Sequence, residues 1–389
     1  MGRRRRRNPS IKPSTPSMTM PPPWSDLLDD LLRLVYTKVV GPLQRIRFAA
    51  VCRSWRAGVI TLLHVAPSVV PWLILSQAHE KDNRRGMYCP KDNQVFPVSL
   101  PIQAVGKRFV GAHDGGWVAV LGDNMALAVV NLFSGIEVLV PVKDMWSVCP
   151  GSRTEIIPKV VFSESPASSG CILAAITSHG VALCRISCPN GEWTEKHLRR
   201  GIVDILFCNG QLYCLTIFED LFKLEIGVNK HHEPVVTAEP RLLSIPPRSN
   251  PPLVQPNNIV ELNGKLLMVV RTWPSLHEYF PEREPFFRVF ELADESTAEC
   301  TYKWKELTSL DDHAIFLGKM WSKAVYLSAV GHNELPRSCI YTTDDLVDST
   351  RLQDHGYCLY PTSVHVNWGI RTYVVAHAPG GMWVLPPDF

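Results

Sequence analysis

The residues with acid–base or metal-binding chemistry lie scattered along this chain, with one exception. Asp311, Asp312 and His313 stand next to one another and combine two carboxylates with an imidazole. A catalytic or metal-binding role for them would need partners from other parts of the fold. Short polar side chains at such positions more often bond to the backbone of turns. We therefore interpret this cluster as structural and assign it no reaction.

Sequence motifs of the common enzyme mechanisms are missing. The nearest approach to a nucleophile elbow, Ser178-His179-Gly180, has the composition of a hairpin turn. Gly318-Lys319 lacks the upstream glycine and the following Ser or Thr of a phosphate-binding loop. His277-Glu278 is not followed by the second histidine of a zinc protease. The sequence predicts no catalytic residue, no cofactor and a protein that is not an enzyme.

The eleven cysteines do not form a metal-binding pattern. Cys184 and Cys188 are the closest pair, and no second pair follows at the spacing of a zinc site. Four others lie within apolar, strand-like runs: Cys171, Cys208, Cys214 and Cys339. We predict that these four are buried, reduced thiols and that the chain holds no metal.

The positive charge of the chain is concentrated at its N-terminus. Residues 1–23 carry six basic side chains, including Arg3 to Arg7, and no acidic one. The whole chain has a formal charge of +3, so the remaining residues sum to −3. A nearly neutral folded part argues against a nucleic-acid partner. The composition of residues 1–23 predicts a disordered, basic, Pro-rich tail.

This N-terminal segment does not have the form of a secretory signal, because no apolar stretch follows its arginines. The arginine run fits two interpretations, a solvated tail and a nuclear localisation signal. No apolar run in the chain approaches the ~18 residues of a membrane span. The sequence predicts a protein of the cytoplasm, the nucleus or both, with no membrane partner.

Short helical segments follow the tail. Ser25 is placed to cap a helix over Asp26–Tyr36, whose first turn is acidic as the helix dipole favours. Gly41-Pro42 ends this helix and begins the next. The second helical pattern repeats apolar residues every three or four positions: Leu43, Ile46, Ala50, Val51 and Trp55. So few residues cannot form a core of useful size, and we expect them to pack on the rest of the chain or on a partner.

From residue 66 onward the pattern changes to short strands. Apolar runs over residues 117–121, 126–131 and 136–140 predict three antiparallel strands joined by tight turns. Asn209-Gly210 and Asn263-Gly264 have the composition of two-residue hairpin turns. Such hairpins recur roughly every 30–55 residues, which predicts a mainly β fold and a β-propeller of six or seven blades. A β-sandwich is the alternative.

Several finer expectations follow from this pattern. The last strand, near Trp383, is expected to complete the blade that begins at Trp72–Leu75 and so to close the ring. The last two hairpin units are predicted over 314–342 and 363–385. The Pro-rich segment 231–256 is predicted to be a long loop. Four aromatic residues fit either a recognition surface or packing between blades: Trp273, Tyr279, Phe280 and Trp321.

The N-terminal helices resemble a known docking motif. Trp24-Ser25-Asp26-Leu27-Leu28, then Leu31-Leu32, then Val51-Cys52-Arg53-Ser54-Trp55-Arg56 resemble the F-box. The family usually has Leu-Pro where this chain has Leu28-Asp29. The resemblance implies an F-box over residues 24–65 that docks into the Skp-type adaptor of a cullin-based ubiquitin ligase. The implied adaptor contacts are Trp24, Leu28, Leu31, Leu32, Val51, Cys52 and Trp55.

The strand-rich part resembles the KIB-type β-propeller region of plant F-box proteins. The similar stretches are 204–213, 260–267, 287–290, 312–318, 339–345 and 383–386, in the order of the family. The resemblance implies a propeller over residues 66–389 that binds a substrate protein. It thus implies a non-catalytic substrate-recognition subunit of a Skp-cullin-F-box ubiquitin ligase. The alternatives are a propeller scaffold with a degenerate F-box and a propeller enzyme.

Overall fold

The structure, a computed structural model, divides the chain into two compact units, Met1–Ala66 and Pro67–Asp388. It describes residues 24–38, 42–49, 51–60, 70–75, 83–122, 126–141, 159–186, 192–198, 201–231, 233–238, 241–243, 245, 258–272, 286–294, 302–327, 335–343, 364–367, 370–376 and 381–387. The predicted tail lies outside these ranges. Within these residues, no helix is both long and apolar enough to span a membrane.

The first unit is helical. It contains a 3₁₀ turn at Trp24–Asp26 and the helices α1 (Asp29–Lys38), α2 (Pro42–Ala49) and α3 (Arg53–Ile60). Helix α1 begins later than a Ser25 cap predicts, because the Leu28 carbonyl accepts the first bonds, from the amides of Leu31 and Leu32 at 3.0 Å. Asp29 and Asp30 then occupy the first turn, where the helix dipole stabilises negative charge.

The second helical pattern divides into two helices. Helix α2 begins at Pro42 as predicted, but the chain bends at Val51, and α3 starts at Arg53. The prediction of one helix from Leu43 to Trp55 is therefore wrong. On a continuous helix, Phe48 and Trp55 would be separated by about 10 Å along the axis. The bend instead brings their ring centroids to 4.5 Å.

The second unit is a six-bladed β-propeller, and the fold class predicted from the recurring hairpins is confirmed. The first sheet contains β1 (Trp72–Ile74), β2 (Arg84–Cys89) and β3 (Gln94–Ser99). The second contains β4 (Arg108–His113), β5 (Trp117–Leu121), β6 (Leu127–Asn131) and β7 (Glu137–Val138). The third contains β8 (Val160–Phe162), β9 (Ile172–Ile176), β10 (Gly180–Arg185) and β11 (Thr194–His197). The fourth sheet begins with β12 (Ile202–Cys208), β13 (Gln211–Thr216) and β14 (Leu221–Leu224).

The remaining strands complete the ring. A hairpin of β15 (Ile226–Val228) and β16 (Pro234–Val236) precedes β17 (Arg241–Leu242), which returns to the fourth sheet. The fifth sheet contains β18 (Asn258–Leu262), β19 (Lys265–Thr272), β20 (Phe286–Asp294) and β21 (Tyr302–Leu307). The sixth contains β22 (His313–Leu317), β23 (Lys323–Tyr326), β24 (Cys339–Thr343), β25 (Val364–Asn367) and β26 (Ile370–Ala376). Strand β27 (Met382–Val384) joins the first sheet.

Ring closure is confirmed by the pairing of the first and last strands. Strand β27 lies antiparallel to β1, with Leu73 opposite Trp383. The Trp383 side chain is fully buried, and its indole donates a hydrogen bond of 3.2 Å to the carbonyl of Leu317 in the sixth sheet. Closure therefore removes the free edge that an open sheet would expose.

The Asn-Gly hairpin turns are also confirmed. Asn209 and Gly210 have φ of 49° and 73°, and Asn263 and Gly264 have φ of 53° and 76°. Positive φ at both central residues is the requirement of a type I′ turn, which matches the twist of the strands it joins. The side-chain amide of Asn209 also donates a hydrogen bond of 2.9 Å to the Gly264 carbonyl, which joins the turns of neighbouring blades.

Two predictions about the strands need correction, and one open alternative is decided. Strands β22 to β26 form one five-stranded sheet in which β24 lies parallel to both β22 and β26, so the two final hairpin units are not separate. The start of the predicted loop 231–256 belongs to the β15–β16 hairpin. Trp321 is buried, which favours packing; Trp273, Tyr279 and Phe280 lie outside the described residues. The period of the apolar residues predicts which face of a strand is buried, but it does not predict which other strand it pairs with.

A buried ion pair connects three blades. The Asp204 carboxylate, 1% exposed, binds the ammonium group of Lys159 just before β8. It also accepts the amide of Ile205 at 2.8 Å and the amide of Ile259, on β18 of the next blade, at 2.9 Å. Both oxygens of this carboxylate therefore have partners, as a buried charge requires.

The four cysteines predicted to be buried thiols are buried and reduced. Burial raises the pKa of the Cys171 thiol to about 11, so almost none of it is the reactive thiolate at neutral pH. Within the described part of the chain, no group of three or more His, Cys, Asp or Glu side chains is arranged to hold a metal.

Candidate docking surface on the N-terminal helices

The helical unit has a small aromatic core. Leu32 and Phe48 are buried, and Leu27, Tyr36 and Trp55 pack around them. The Tyr36 ring lies 5.5 Å from that of Phe48, between centroids, and the Trp55 ring lies 4.5 Å from it. These contacts join α1, α2 and α3 through one face of each helix.

A glycine permits the close approach of α3 to α1. A Cβ atom placed on Gly58 would lie 3.3 Å from Cδ1 of Leu32, which is tighter than ordinary van der Waals contact. Leu32 is thereby enclosed on the α3 side as well as by the aromatic rings, and its side chain is 0% exposed.

A second apolar face of α1 is exposed. Leu31, Leu34 and Val35 are spaced by three and four residues and so share one side of the helix, and Leu28 precedes them by one turn. Their exposed fractions are 48%, 58%, 44% and 71% in the order Leu31, Leu34, Val35 and Leu28. We call these four side chains the apolar stripe. Surface helices normally keep one apolar face, which points to the core, so an exposed second apolar face is a candidate docking surface.

Two further apolar groups of the predicted motif are exposed. Trp24 is 72% exposed and Val51 is 55% exposed. The Trp24 carbonyl accepts a hydrogen bond of 2.8 Å from the indole nitrogen of Trp55. The 3₁₀ turn is thereby connected to α3 through a contact between residues far apart in the chain.

The seven residues predicted as adaptor contacts have different environments. Trp24, Leu28, Leu31 and Val51 are exposed, Cys52 and Trp55 are half-buried, and Leu32 is fully buried. Leu34 and Val35 were not among the seven, although their three- and four-residue spacing from Leu31 was visible in the sequence.

Asp29 replaces the proline of the usual motif at the first residue of α1. Proline is favoured there because its missing N–H has no partner in the helix anyway. Aspartate is also favoured, because its charge interacts with the helix dipole. Asp30 adds a second negative charge in the first turn and lies 3.5 Å from Arg33. The helix therefore starts at this position without proline.

The propeller has a polar cluster where several strands end. Lys323, the first residue of β23, pairs with Asp114, which follows β4. The carbonyl of Asp114 lies 3.2 Å from Nδ1 of His113, and burial lowers the pKa of that histidine. Glu164, after β8, accepts the hydroxyl of Ser168 at 2.8 Å. These side chains bond to one another or to turns, so the described contacts explain them as structural ties.

The Asp311–His313 cluster has structural contacts as well. Asp312 pairs with Arg337, and Asp311 accepts the hydroxyl of Ser309 at 3.2 Å. The His313 ring meets Tyr326 edge-on at 5.6 Å between centroids. The cluster thus joins the start of β22 to its neighbours in the sixth sheet.

Family comparison identifies the propeller. Residues 87–361, more than half of the chain, match the model of a family described as the KIB1-4 beta-propeller. The chain belongs to the KIB1-4 beta-propeller family. The predicted resemblance to a KIB-type propeller is confirmed by this match. Most of the family region lies in the six blades described above.

Other comparisons are more distant. An Arabidopsis thaliana protein named "Putative F-box protein" is 22% identical over 219 residues. The match covers 53% of this chain and 57% of the relative, so the chain spans just over half of that protein's length.

Two solved structures share weak similarity with the chain. One is a complex of S. cerevisiae Dbp5 with Nup159 and Gle1, at a TM-score of 0.31 and 10% identity, covering 63% of this chain and 62% of that chain. The other is the N-terminal domain of Nup159, at a TM-score of 0.28 and 8% identity, covering 62% of each. Similarity at this level indicates nothing about the function of the chain.

Proposed function

We propose that this protein is the substrate-recognition subunit of a Skp-cullin-F-box ubiquitin ligase. The helical unit binds a Skp-type adaptor, and through it a cullin, while the propeller holds a target protein for ubiquitination. The protein supplies proximity and orientation and performs no bond chemistry itself. It acts in the cytoplasm, the nucleus or both.

The observation that carries the proposal is the apolar stripe on α1. Its side chains belong to a helix whose other apolar face already packs in the core of the unit. An exposed row of leucines at helical spacing fits the binding mode in which a helix places one face in a partner's groove. The F-box-like sequence and the F-box name of the Arabidopsis relative support the choice of partner. Family membership supports the propeller as the target-binding part.

The exposures of the predicted contact residues support different roles for them within this proposal. Exposed Leu28 and Leu31 contact the adaptor directly, together with Leu34 and Val35. Buried Leu32 supports the stripe from beneath, because it is enclosed by Phe48 and α3. In this proposal, a loss of adaptor binding after Leu32 substitution comes from loss of packing.

Affinity of the purified full chain for a Skp-type adaptor tests the proposal. We expect Leu31→Ala to weaken binding about tenfold, the usual effect at an anchor residue. Ile136→Ala is the matched control, since Ile136, at 58% against 48% for Leu31, is similarly exposed but belongs to the propeller; we expect no change. If the unaltered chain does not bind the adaptor, the proposal fails and the alternative of a scaffold with a degenerate F-box is favoured.

A further inference from the structure

Trp24 stands before α1, and its backbone is held by contacts from outside its own turn. The 3₁₀ turn closes with a bond of 3.4 Å from the amide of Leu27 to the Trp24 carbonyl, a long hydrogen bond. A three-residue turn has too few bonds to persist alone. The same carbonyl accepts the shorter bond of 2.8 Å from Nε1 of Trp55, 31 residues further along the chain.

Trp55 is itself firmly placed. Its ring lies 4.5 Å from that of Phe48, between centroids, and Phe48 is only 6% exposed. Helix α3, which carries Trp55, approaches α1 closely at Gly58. The indole N–H therefore projects from the core of the helical unit toward the 3₁₀ turn.

We propose that Trp55 is a positioning residue for Trp24. Its N–H holds the Trp24 backbone, so that the exposed Trp24 ring is already in place when the adaptor arrives. This inference rests on the proposed function. It gives the two tryptophans of the motif different roles: Trp24, 72% exposed, contacts the adaptor, and half-buried Trp55 presents it.

The physical gain is preorganisation. A short segment at the edge of a folded unit samples many conformations unless it is tied down. Ordering it at an interface costs affinity, because binding must then supply the lost entropy. A single neutral hydrogen bond has a modest net effect. We therefore expect its removal to weaken adaptor binding about twofold to tenfold.

The sharpest test removes one N–H group. Replacing Trp55 with benzothienylalanine puts sulfur where Nε1–H stands and preserves the shape that packs on Phe48. We expect adaptor affinity of the full chain to fall about twofold to tenfold. We also expect faster hydrogen exchange at the amides of Trp24 to Leu28, with unchanged exchange in α3. A purely structural loss would accelerate exchange in α3 as well.

A double-mutant cycle separates positioning from direct contact. In a Trp24→Ala background, benzothienylalanine at Trp55 should cause no further loss of affinity, because the ring that it positions is gone. Additive losses would show that Trp55 contacts the adaptor itself and would overturn the inference.

Trp193 offers a matched control in the propeller, since its indole donates a similar bond of 2.9 Å to the carbonyl of Pro141. Benzothienylalanine at Trp193 should leave adaptor affinity unchanged. If the unaltered chain binds the adaptor and the Trp55 variant binds equally well, positioning is wrong while the proposed function stands. If the unaltered chain does not bind, both fail.

Discussion

In the helical unit Trp24, Leu28 and Leu34 are each more than half exposed, whereas strands β5 and β24 of the propeller bury every side chain. Each propeller sheet packs against a neighbouring sheet, so apolar side chains on both faces of such strands are covered. Among the described residues of the helical unit, the three helices pack on one another and on the 3₁₀ turn. The small apolar cluster formed there covers one face of α1. Apolar side chains are thus buried in the core of the propeller, whereas several of those in the helical unit form an exposed surface.

The largest effect is expected in the propeller. Asp204→Ala leaves Lys159 buried and unpaired, and we expect it to lower the free energy of unfolding by about 3–5 kcal/mol. Thermal or urea unfolding of the full chain measures this loss. Lys265→Ala is the control, since it breaks the pair with Glu291 at 2.9 Å, in which Lys265 is 60% exposed; about 1 kcal/mol or less is expected there. Equal losses would mean that burial does not set the strength of these pairs.

A smaller effect is expected in the helical core. Leu32→Ala removes a fully buried side chain, and such truncations cost about 2–5 kcal/mol. The unit is small, so the lower part of this range applies, and hydrogen exchange in α1 and α3 should accelerate accordingly. Leu34→Ala, on the exposed face of the same helix, should change exchange little. If the two variants behave alike, the division of α1 into a buried face and an apolar stripe is incorrect.

The smallest effect concerns the start of α1. Asp29→Pro restores the usual motif at a position where either residue suits the helix. We expect stability to change by less than about 1 kcal/mol and adaptor affinity to change less than twofold. Asp29→Gly is the comparison, since glycine favours neither the helix nor its dipole. A large gain in affinity with proline would show that the adaptor contacts the proline side chain directly.

Much of the propeller was predictable because its signals are local. The Asn-Gly turns specify type I′ geometry through two residues, and the strands beside them are apolar runs of ordinary length. Ring closure by Trp383 was also predictable, since the first and last apolar strands lacked other partners. The sixth sheet was not predictable. Its parallel pairs, such as Ile315 with Ile340, join strands separated by other elements, and no local pattern encodes that choice.

The candidate docking site divides in the same way. The sequence by itself determined that residues 24–65 carry an amphipathic motif too small to form a large core, and it identified the residue types of that motif. Only the tertiary structure decided that Leu32 is core, that Leu31 is surface and that the Trp55 indole meets the Trp24 carbonyl. The physical reason is that neighbouring apolar positions on one helix look alike in sequence. Packing of α2 and α3 against α1 determines which of them water, or a partner, can reach.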